Sequence, residues 1–376
     1  MRIGLLAPER RYEESFQNAS EPLFHASGDN LGNFAFVEAL WRHLSPQVVL
    51  LPWSVSRERA RERADLLVLA AANQLGAHND LGGFAAHLEE IGLPIVVVGL
   101  GAQAASLEAP VELPAGTERW ARTLAALAPG KAPNIGLRGA FTHRVMERLG
   151  LGDRCVVTGC PSNFLNESPD FYAKLKARFD KRRIDRLCVP AGNPFFDKVR
   201  HLEASLAGMV EATGGLYVAQ ADLDMVRFAR GEGGLSDAET RERIRRFVAP
   251  HLSEAELDVW RQRHAVAYAD ATSWMEAMRS CDFAVGARFH GVMLAIQAGT
   301  PGGVVAHDSR TLELCATMAI PVCEAEDAPR ELRLADLEWL FPFDVAAYAA
   351  TRERLRGVYG NLLRGCGIEP SPRLCV

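Results

Sequence analysis

Residues 281–301, CDFAVGARFHGVMLAIQAGTP, decide the fold. The first residues form an apolar run of strand length, and the apolar segment after it predicts a helix. Between them lie Arg288 and His290, a cation and an imidazole at the point where the helix is expected to begin. A buried strand that leads directly into a helix is the building unit of a parallel α/β sheet.

The same alternation extends over most of the chain. Apolar runs predict strands at RIGLLAP, QVVLLP, DLLVLA, PIVVVG, NIGLR and RCVVTG, and later at LCVPAG, GLYVAQ, AVAYA, CDFAVG and GGVVAHD. Apolar strands that alternate with amphipathic helices indicate parallel sheets covered on both faces. The sequence therefore predicts an α/β fold with two Rossmann-like, doubly wound parallel-sheet domains that face each other across a cleft.

The division into domains follows from length and charge. The chain of 376 residues is longer than a single hydrophobic core ordinarily accommodates, so we expect two domains. Because the charged segment YAKLKARFDKRRIDR contains no predicted strand, we place the domain joint there. We expect an N-terminal domain over residues 1–180 and a C-terminal domain over 181–342. A C-terminal helix and tail, residues 343–376, should pack back on the first domain.

Composition excludes several classes of protein. The net charge of −5 argues against a nucleic-acid-binding protein, which would be basic. The sequence contains neither a predicted membrane span nor a signal peptide. The eight cysteines lack CxxC spacing, which favours reduced, buried thiols over a zinc site. We expect a cytoplasmic protein without metal or cofactor, whose oligomeric state the sequence leaves open.

The strongest candidate site lies where the opening stretch turns from strand to helix. Ligands of doubly wound sheets bind beyond the carboxyl ends of the strands. A helix N-terminus favours an anion, and Arg288 adds a planar fork for a carboxylate or phosphate. His290 can transfer a proton near neutral pH, and Gly291 is expected to leave room for a ligand. Arg138 follows the strand NIGLR in the same way; a surface salt bridge is its structural alternative.

Further polar residues follow other predicted strands and are expected to line the cleft. They are Asp29, Asn30 and Asn33 in HASGDNLGNF, Gln103 in VVVGLGAQA, Asn193 in PAGNPFF, and His307, Asp308 and Arg310 in VVAHDSR. The asparagines could equally be helix caps and the glycines turn residues. VVVGLGAQA matches a dinucleotide fingerprint only formally, because prolines interrupt the region where its helix should follow.

The chain resembles the polysaccharide pyruvyl transferase family. The resemblance rests on NLGN, VVVGLGAQ, IGLRGAFTHRVMERLG with VTGCPSNFL, and CDFAVGARFHGVMLAIQAGTPGGVVAHDSR. It implies a two-domain GT-B-like fold and a bacterial cell-envelope transferase that moves the enolpyruvyl group of phosphoenolpyruvate onto two sugar hydroxyls, forming a ketal. It places donor binding at Arg138, Arg288 and His290. We also expect Arg310 and Gly291 at the donor site, because phosphoenolpyruvate carries two anionic groups and a glycine lets a ligand approach the backbone. Two positions depart from the family pattern: Asn33 replaces an Asp, and Arg310 replaces a Lys.

His290 and Arg288 are thus the expected catalytic residues, His290 as the base toward the attacking hydroxyl. The acceptor is expected to be a saccharide, either free or lipid-linked at the inner face of the membrane. Two alternatives remain open from the sequence. One is a glycosyltransferase that uses a nucleotide-activated sugar in the same cleft, and the other is a non-catalytic carbohydrate-binding protein.

Overall fold

The computed structural model describes residues 1–44, 46, 48–181, 183–193, 196, 199–232 and 238–374. Within these residues the strands form two parallel sheets of six strands each, which confirms the predicted fold class. The strands of the first sheet are β1 Ile3–Leu6, β2 Val48–Leu51, β3 Leu66–Ala70, β4 Ile95–Leu100, β5 Ile135–Leu137 and β6 Cys155–Val157. Those of the second are β7 Leu187–Pro190, β8 Leu216–Val218, β9 Ala265–Val266, β10 Phe283–Gly286, β11 Gly302–Ala306 and β12 Val322–Glu324.

Helices connect the strands in both halves. The first half contains α1 Ser20–Ala26, α2 Asn33–Leu44, α3 Arg57–Arg63, α4 Gly82–Ile91, α5 Ala115–Ala126, α6 Ala140–Arg148 and α7 Phe171–Phe179. The second contains α8 Arg200–Thr213, α9 Leu223–Arg230, α10 Ala238–Val248, α11 Glu254–His264, α12 Ala271–Met278, α13 Phe289–Gln297, α14 Ser309–Met318, α15 Leu337–Leu340 and α16 Val345–Gly365. None of these helices, in the part of the chain that the structure describes, is long and apolar enough to cross a membrane.

Some predicted elements differ from the observed ones. The run AVAYA forms only a two-residue strand, and β12 was not predicted. The corner PAGNPFFDK lies partly outside the described residues, and α8 begins after it at Arg200. The first sheet ends at Val157 and the second begins at Leu187. The exact domain boundaries stay a prediction.

The order of the strands in each sheet determines where a ligand can bind. The first sheet has the order β2-β1-β3-β4-β5-β6, and the second β9-β8-β7-β10-β11-β12. In each sheet the winding direction reverses at one point, between β1 and β3 in the first and between β7 and β10 in the second. Crevices for ligands open at the carboxyl ends of the strands at such reversal points. The stretch with Arg288 and His290 follows β10 and so lies at one of them.

The two halves share an apolar core behind this crevice. Along the first sheet, alternate side chains such as Leu5, Val68 and Val96 face one cluster, because successive strand residues point to opposite faces. The same cluster contains Val292 of α13 and Tyr348 of α16. Separating the halves would therefore expose buried apolar surface, at a cost of about 25 cal/mol per Å².

The last helix is anchored by a buried arginine. The Arg352 side chain is 1% exposed and donates from Nε to the carbonyl of Asn163 (2.6 Å) and from Nη2 to that of Asn166 (2.6 Å). Its Nη1 donates to the hydroxyl of Tyr172 (3.0 Å), and the guanidinium lies 5.0 Å from the ring centre of Phe171. These contacts fix α16, whose residues also pack against β5 and β6.

We predict that Arg352→Met lowers the free energy of unfolding by about 3 kcal/mol or more, because it leaves buried hydrogen-bond acceptors without a donor. Chemical denaturation measures the change. Arg354→Met, at an exposed position of the same helix, is the control and should change stability by no more than about 0.5 kcal/mol. Equal effects of both substitutions would contradict the anchoring role.

Candidate functional site

One cavity opens where the reversal points of the two sheets face each other. Its walls come from the loops and helix starts that follow β1, β3, β5, β8, β10 and β11. The lining residues are Asn30, Asn33, Ala72, Asn73, Arg138, Gln220, Ala287, Arg288, Phe289, His290, Arg310, Thr311 and Leu314. Both halves of the chain therefore contribute to one site, as expected for facing doubly wound sheets.

Three guanidinium groups meet in this cavity. Arg138 is 2% exposed, and its Nε donates to the carbonyl of Gly99 (2.9 Å). Arg310 donates from Nη2 to Asp308 (2.9 Å). The Nε of Arg288 is buried without a hydrogen-bond partner. Among the described residues, the Arg310–Asp308 pair is the only ion pair that any of the three makes.

The cavity is therefore electrostatically prepared for an anion. Burial lowers the pKa of Arg138, and the charge of Arg310 lowers it further, against opposing effects from Cys160 and nearby carboxylates. Burial and then Arg310 lower the pKa of Arg288 in the same way. Like charges held in a partly buried site repel each other. A ligand with more than one negative charge would relieve this repulsion.

His290 lies beside the three arginines as a neutral imidazole. Burial lowers the pKa of His290 to about 3, and Arg138 and then Arg310 contribute to the shift. Among the described residues, its Nδ1 has no hydrogen-bond partner. An anion in the cavity would offset the arginine charges and raise the proton affinity of this ring.

The predicted glycine-rich turn cradles Arg138. A Cβ atom at Gly101 would lie 2.6 Å from Cδ of Arg138, so only glycine fits there. The helix that follows Arg138 is held by the other domain: the carboxylate of Glu313, on α14, accepts hydrogen bonds from the backbone N–H (2.6 Å) and hydroxyl (2.8 Å) of Thr142. VVVGLGAQA therefore serves to position an arginine.

Several residues predicted from sequence line the cavity, namely Asn30, Asn33, Arg138, Arg288, His290 and Arg310. Both asparagines also make local hydrogen bonds, neither of which is the helix-cap contact considered above. The Oδ1 of Asn30 accepts from the backbone N–H of Gly32 (2.9 Å), and the Nδ2 of Asn33 donates to the carbonyl of Ser27 (3.0 Å).

His307 and Asp308 line a second cavity of about 570 Å³, far larger than the arginine-lined one of about 50 Å³. The Arg310–Asp308 ion pair connects the two. Burial alone would raise the pKa of Asp308. Arg310 and His307 lower it by more, so the pKa of this carboxyl lies below its usual value.

Three other predicted residues do not line the arginine-lined cavity. Gln103 accepts a hydrogen bond at Oε1 from Nδ2 of Asn73, which does line it. Asp29 is exposed and pairs with His25 at 2.7 Å. Asn193 follows β7 and is half-buried.

The expectation that Gly291 leaves room for a ligand is wrong. A Cβ atom at Gly291 would lie 2.5 Å from Cβ of Pro190, so the space beside it is filled by protein. Gly286 has the same role, since its Cβ would lie 2.5 Å from the carbonyl oxygen of Pro190. These glycines allow β10 and α13 to approach β7.

The prediction from sequence missed three polar residues of the cavity, one of which is Thr311 on α14. Gln220 follows β8; it is 2% exposed, and its Oε1 is buried without a hydrogen-bond partner. Asn73 follows β3. Both are polar residues just beyond an apolar strand, which is the signal that identified Arg138. Across the described ranges, no three histidine, cysteine, aspartate or glutamate side chains cluster so as to hold a metal ion.

Comparison with known proteins gave the following. A family model described as polysaccharide pyruvyl transferase matches residues 30–309. Similar solved structures include the S. aureus MnaA–UDP complex (10% identity, 97% of each chain covered, TM-score 0.48). Two others are Anabaena HepE in complex with UDP (13% identity, 96% of this chain and 100% of that chain, TM-score 0.41) and UDP-GlcNAc 2-epimerase from Neisseria meningitidis bound to UDP-GlcNAc (9%, 94% of each, 0.44). A comparison with curated proteins found no match.

We predict that His290 gains no proton between about pH 7.5 and about pH 5.5, because burial and the arginines disfavour its charged form. Proton NMR of the histidine rings measures this. His25 is the internal control, since its hydrogen bond to Asp29 raises its pKa and it should titrate above 6.5. Saturating inorganic phosphate should raise the pKa of His290. Titration of His290 near 6.5 without an anion would contradict the electrostatic account.

Proposed function

The chain belongs to the polysaccharide pyruvyl transferase family, and from that premise we propose that it transfers the enolpyruvyl group of phosphoenolpyruvate to two hydroxyls of a saccharide, forming a pyruvate ketal. The observation that carries this proposal is the meeting of three arginines around one small cavity, with one carboxylate partner within the part of the chain that the structure describes. Phosphoenolpyruvate presents a carboxylate and a phosphate on one small molecule, so it needs two anion sites close together.

The geometry supports different roles for the three arginines in binding the donor. Arg288 lies at the N-terminus of α13, where free backbone N–H groups favour an anion, and its fork suits the phosphate. Arg138 and Arg310 then face the carboxylate. In this arrangement Arg288 and the N-terminus of α13 together stabilise the phosphate that must leave.

The reaction can be written with the chain's own groups. One acceptor hydroxyl attacks the central carbon of phosphoenolpyruvate while the methylene carbon takes up a proton and becomes a methyl group. The C–O bond to phosphate breaks, and the neighbouring hydroxyl closes the ketal. Of the two hydroxyl protons released, one balances the new methyl group and the other leaves with phosphate. His290 accepts the proton of the attacking hydroxyl once the bound anion has raised its proton affinity.

The second cavity is the place we propose for the saccharide. It adjoins the arginines through Asp308, and residues from both halves, including Ser106, His201 and His307, line it. Ionised Asp308 can accept hydrogen bonds from sugar hydroxyls. The acceptor would then be a polysaccharide or its precursor with one hydroxyl pair directed toward the smaller cavity.

We predict that phosphoenolpyruvate raises the melting temperature of the protein and that Arg288→Lys weakens its binding at least about tenfold, because an ammonium cannot replace a bidentate fork. Titration calorimetry measures the affinity. Arg148→Lys, an exposed position on α6, should leave it unchanged. A melting shift with UDP or a nucleotide sugar, and none with phosphoenolpyruvate, would replace this proposal by a nucleotide-sugar glycosyltransferase.

We predict that His290→Ala still binds phosphoenolpyruvate but loses about a hundredfold or more in turnover, as expected for a positioned proton-transfer group. The assay follows phosphate release from phosphoenolpyruvate with a panel of saccharides. A smaller loss would show that another group takes the proton. Activity unchanged in both His290→Ala and Arg288→Lys would exclude this cavity as the reaction site.

A further inference from the structure

Helix α14 belongs to the second half of the chain but lies against the first. It follows β11, yet Leu314 and Met318 pack in the apolar cluster of the first sheet. At the start of the helix, Ser309 is fully buried. Its hydroxyl accepts a hydrogen bond from the backbone N–H of Ala104 (2.9 Å) and donates one to the carbonyl of the same residue (2.9 Å). The first residue of α14 is therefore bound to the loop that follows β4.

A second group of hydrogen bonds lies one turn further along the helix. The carboxylate of Glu313 accepts from Thr142, and the hydroxyl oxygen of Thr142 accepts in turn from the backbone N–H of Ala102 (2.9 Å). Because backbone N–H groups only donate and carbonyl oxygens only accept, the direction of each bond to the backbone is fixed. A Cβ atom at Gly139 would lie 2.4 Å from Cγ of Glu313, so the start of α6 and α14 touch at this point.

The two groups of hydrogen bonds lie on either side of Arg310. Arg310 stands between Ser309 and Glu313 along α14, and Arg138 stands two residues before the first residue of α6. The two guanidiniums line the same cavity and repel each other. Moving α14 away from α6 would relieve this repulsion. The hydrogen bonds of Ser309 and Glu313 oppose that movement, because it would leave their buried donors and acceptors unpaired.

We propose that Ser309 and Glu313 are positioning residues, which dock α14 onto the first half of the chain and so hold Arg310 in one anion site with Arg138. Arg288 and the N-terminus of α13 belong to the second half whether or not α14 is docked. An anion that contacts both Arg138 and Arg310 therefore needs the docked state, and an anion held by Arg288 does not. The consequence for phosphoenolpyruvate rests on the proposed function, whereas the docking follows from the hydrogen bonds.

Hydrogen exchange of the full chain, measured by NMR at single residues, tests the docking without a ligand. The backbone N–H groups of Ala104 and Thr142 are bonded to Ser309 and Glu313, respectively. Ser309→Ala should speed exchange at least about fivefold at Thr142 as well as at Ala104, because the loss of one contact populates the undocked state. Glu313→Gln should likewise speed exchange at Ala104. The N–H of Ala85 within α4 should keep its rate in both variants. Faster exchange only beside the substituted residue would overturn the proposal.

The affinities for two anions, measured by titration calorimetry, test the consequence for the cavity. The double variant Ser309→Ala/Glu313→Gln should bind phosphoenolpyruvate at least about tenfold more weakly, because the apparent affinity falls with the fraction of docked protein. Its affinity for inorganic phosphate should change by no more than about twofold, since Arg288 and the N-terminus of α13 can hold this anion alone. Glu276→Gln, at an exposed position of α12, should change neither affinity.

The outcomes separate a positioning role from a general loss of structure. An unchanged affinity for phosphoenolpyruvate in the folded double variant, or an equal loss for both anions, would overturn the positioning role. If the wild type binds phosphate but not phosphoenolpyruvate, the proposed function fails. The exchange rates then still decide whether Ser309 and Glu313 dock α14 as one unit.

Discussion

The mutual repulsion of Arg138, Arg288 and Arg310 is the constraint around which the molecule is organised. Among the described residues, Asp308 is the one carboxylate that forms an ion pair with any of them, so the packing around the cavity must sustain the unfavourable electrostatic energy that remains. The turn at Gly101 holds the side chain of Arg138, and the carboxylate of Glu313 reaches across from the second half to fix the helix behind it. Sites that bind multiply charged ligands commonly carry unfavourable electrostatic energy in the free state, because the bound ligand offsets it.

The shared apolar core holds the two halves together against the repulsion among the arginines. Side chains of the first sheet, of α13 and of α16 pack in one cluster, directly behind the arginines. Electrostatic repulsion would tend to open the cleft, but opening it would expose this cluster to water. The two domains are therefore less independent than their separate sheets suggest, and the geometry of the cavity is set by both at once.

The sequence could predict the arginines and His290 because each follows an apolar strand, and parallel strands end at one edge of a sheet. Other features depend on contacts between distant segments. Strand order is decided by pairing across the chain, so the reversal points were not visible. Gly291 was assigned to a ligand because a missing side chain looks the same whether ligand or protein fills the space; here Pro190 fills it. The contact between Cys160 and His290 could not be read from the sequence, because the two residues are 130 positions apart.

The position of α16 in the chain has a consequence for biosynthesis. This helix covers strands β5 and β6 but is made only after the whole second domain. During translation, the first sheet leaves the ribosome with part of an apolar face uncovered, and it stays so until residues 345–365 emerge. Nascent chains with exposed apolar faces are prone to aggregate. The N-terminal half is thus expected to depend on chaperones while it waits, and to complete its folding only after the C-terminal half has been synthesised.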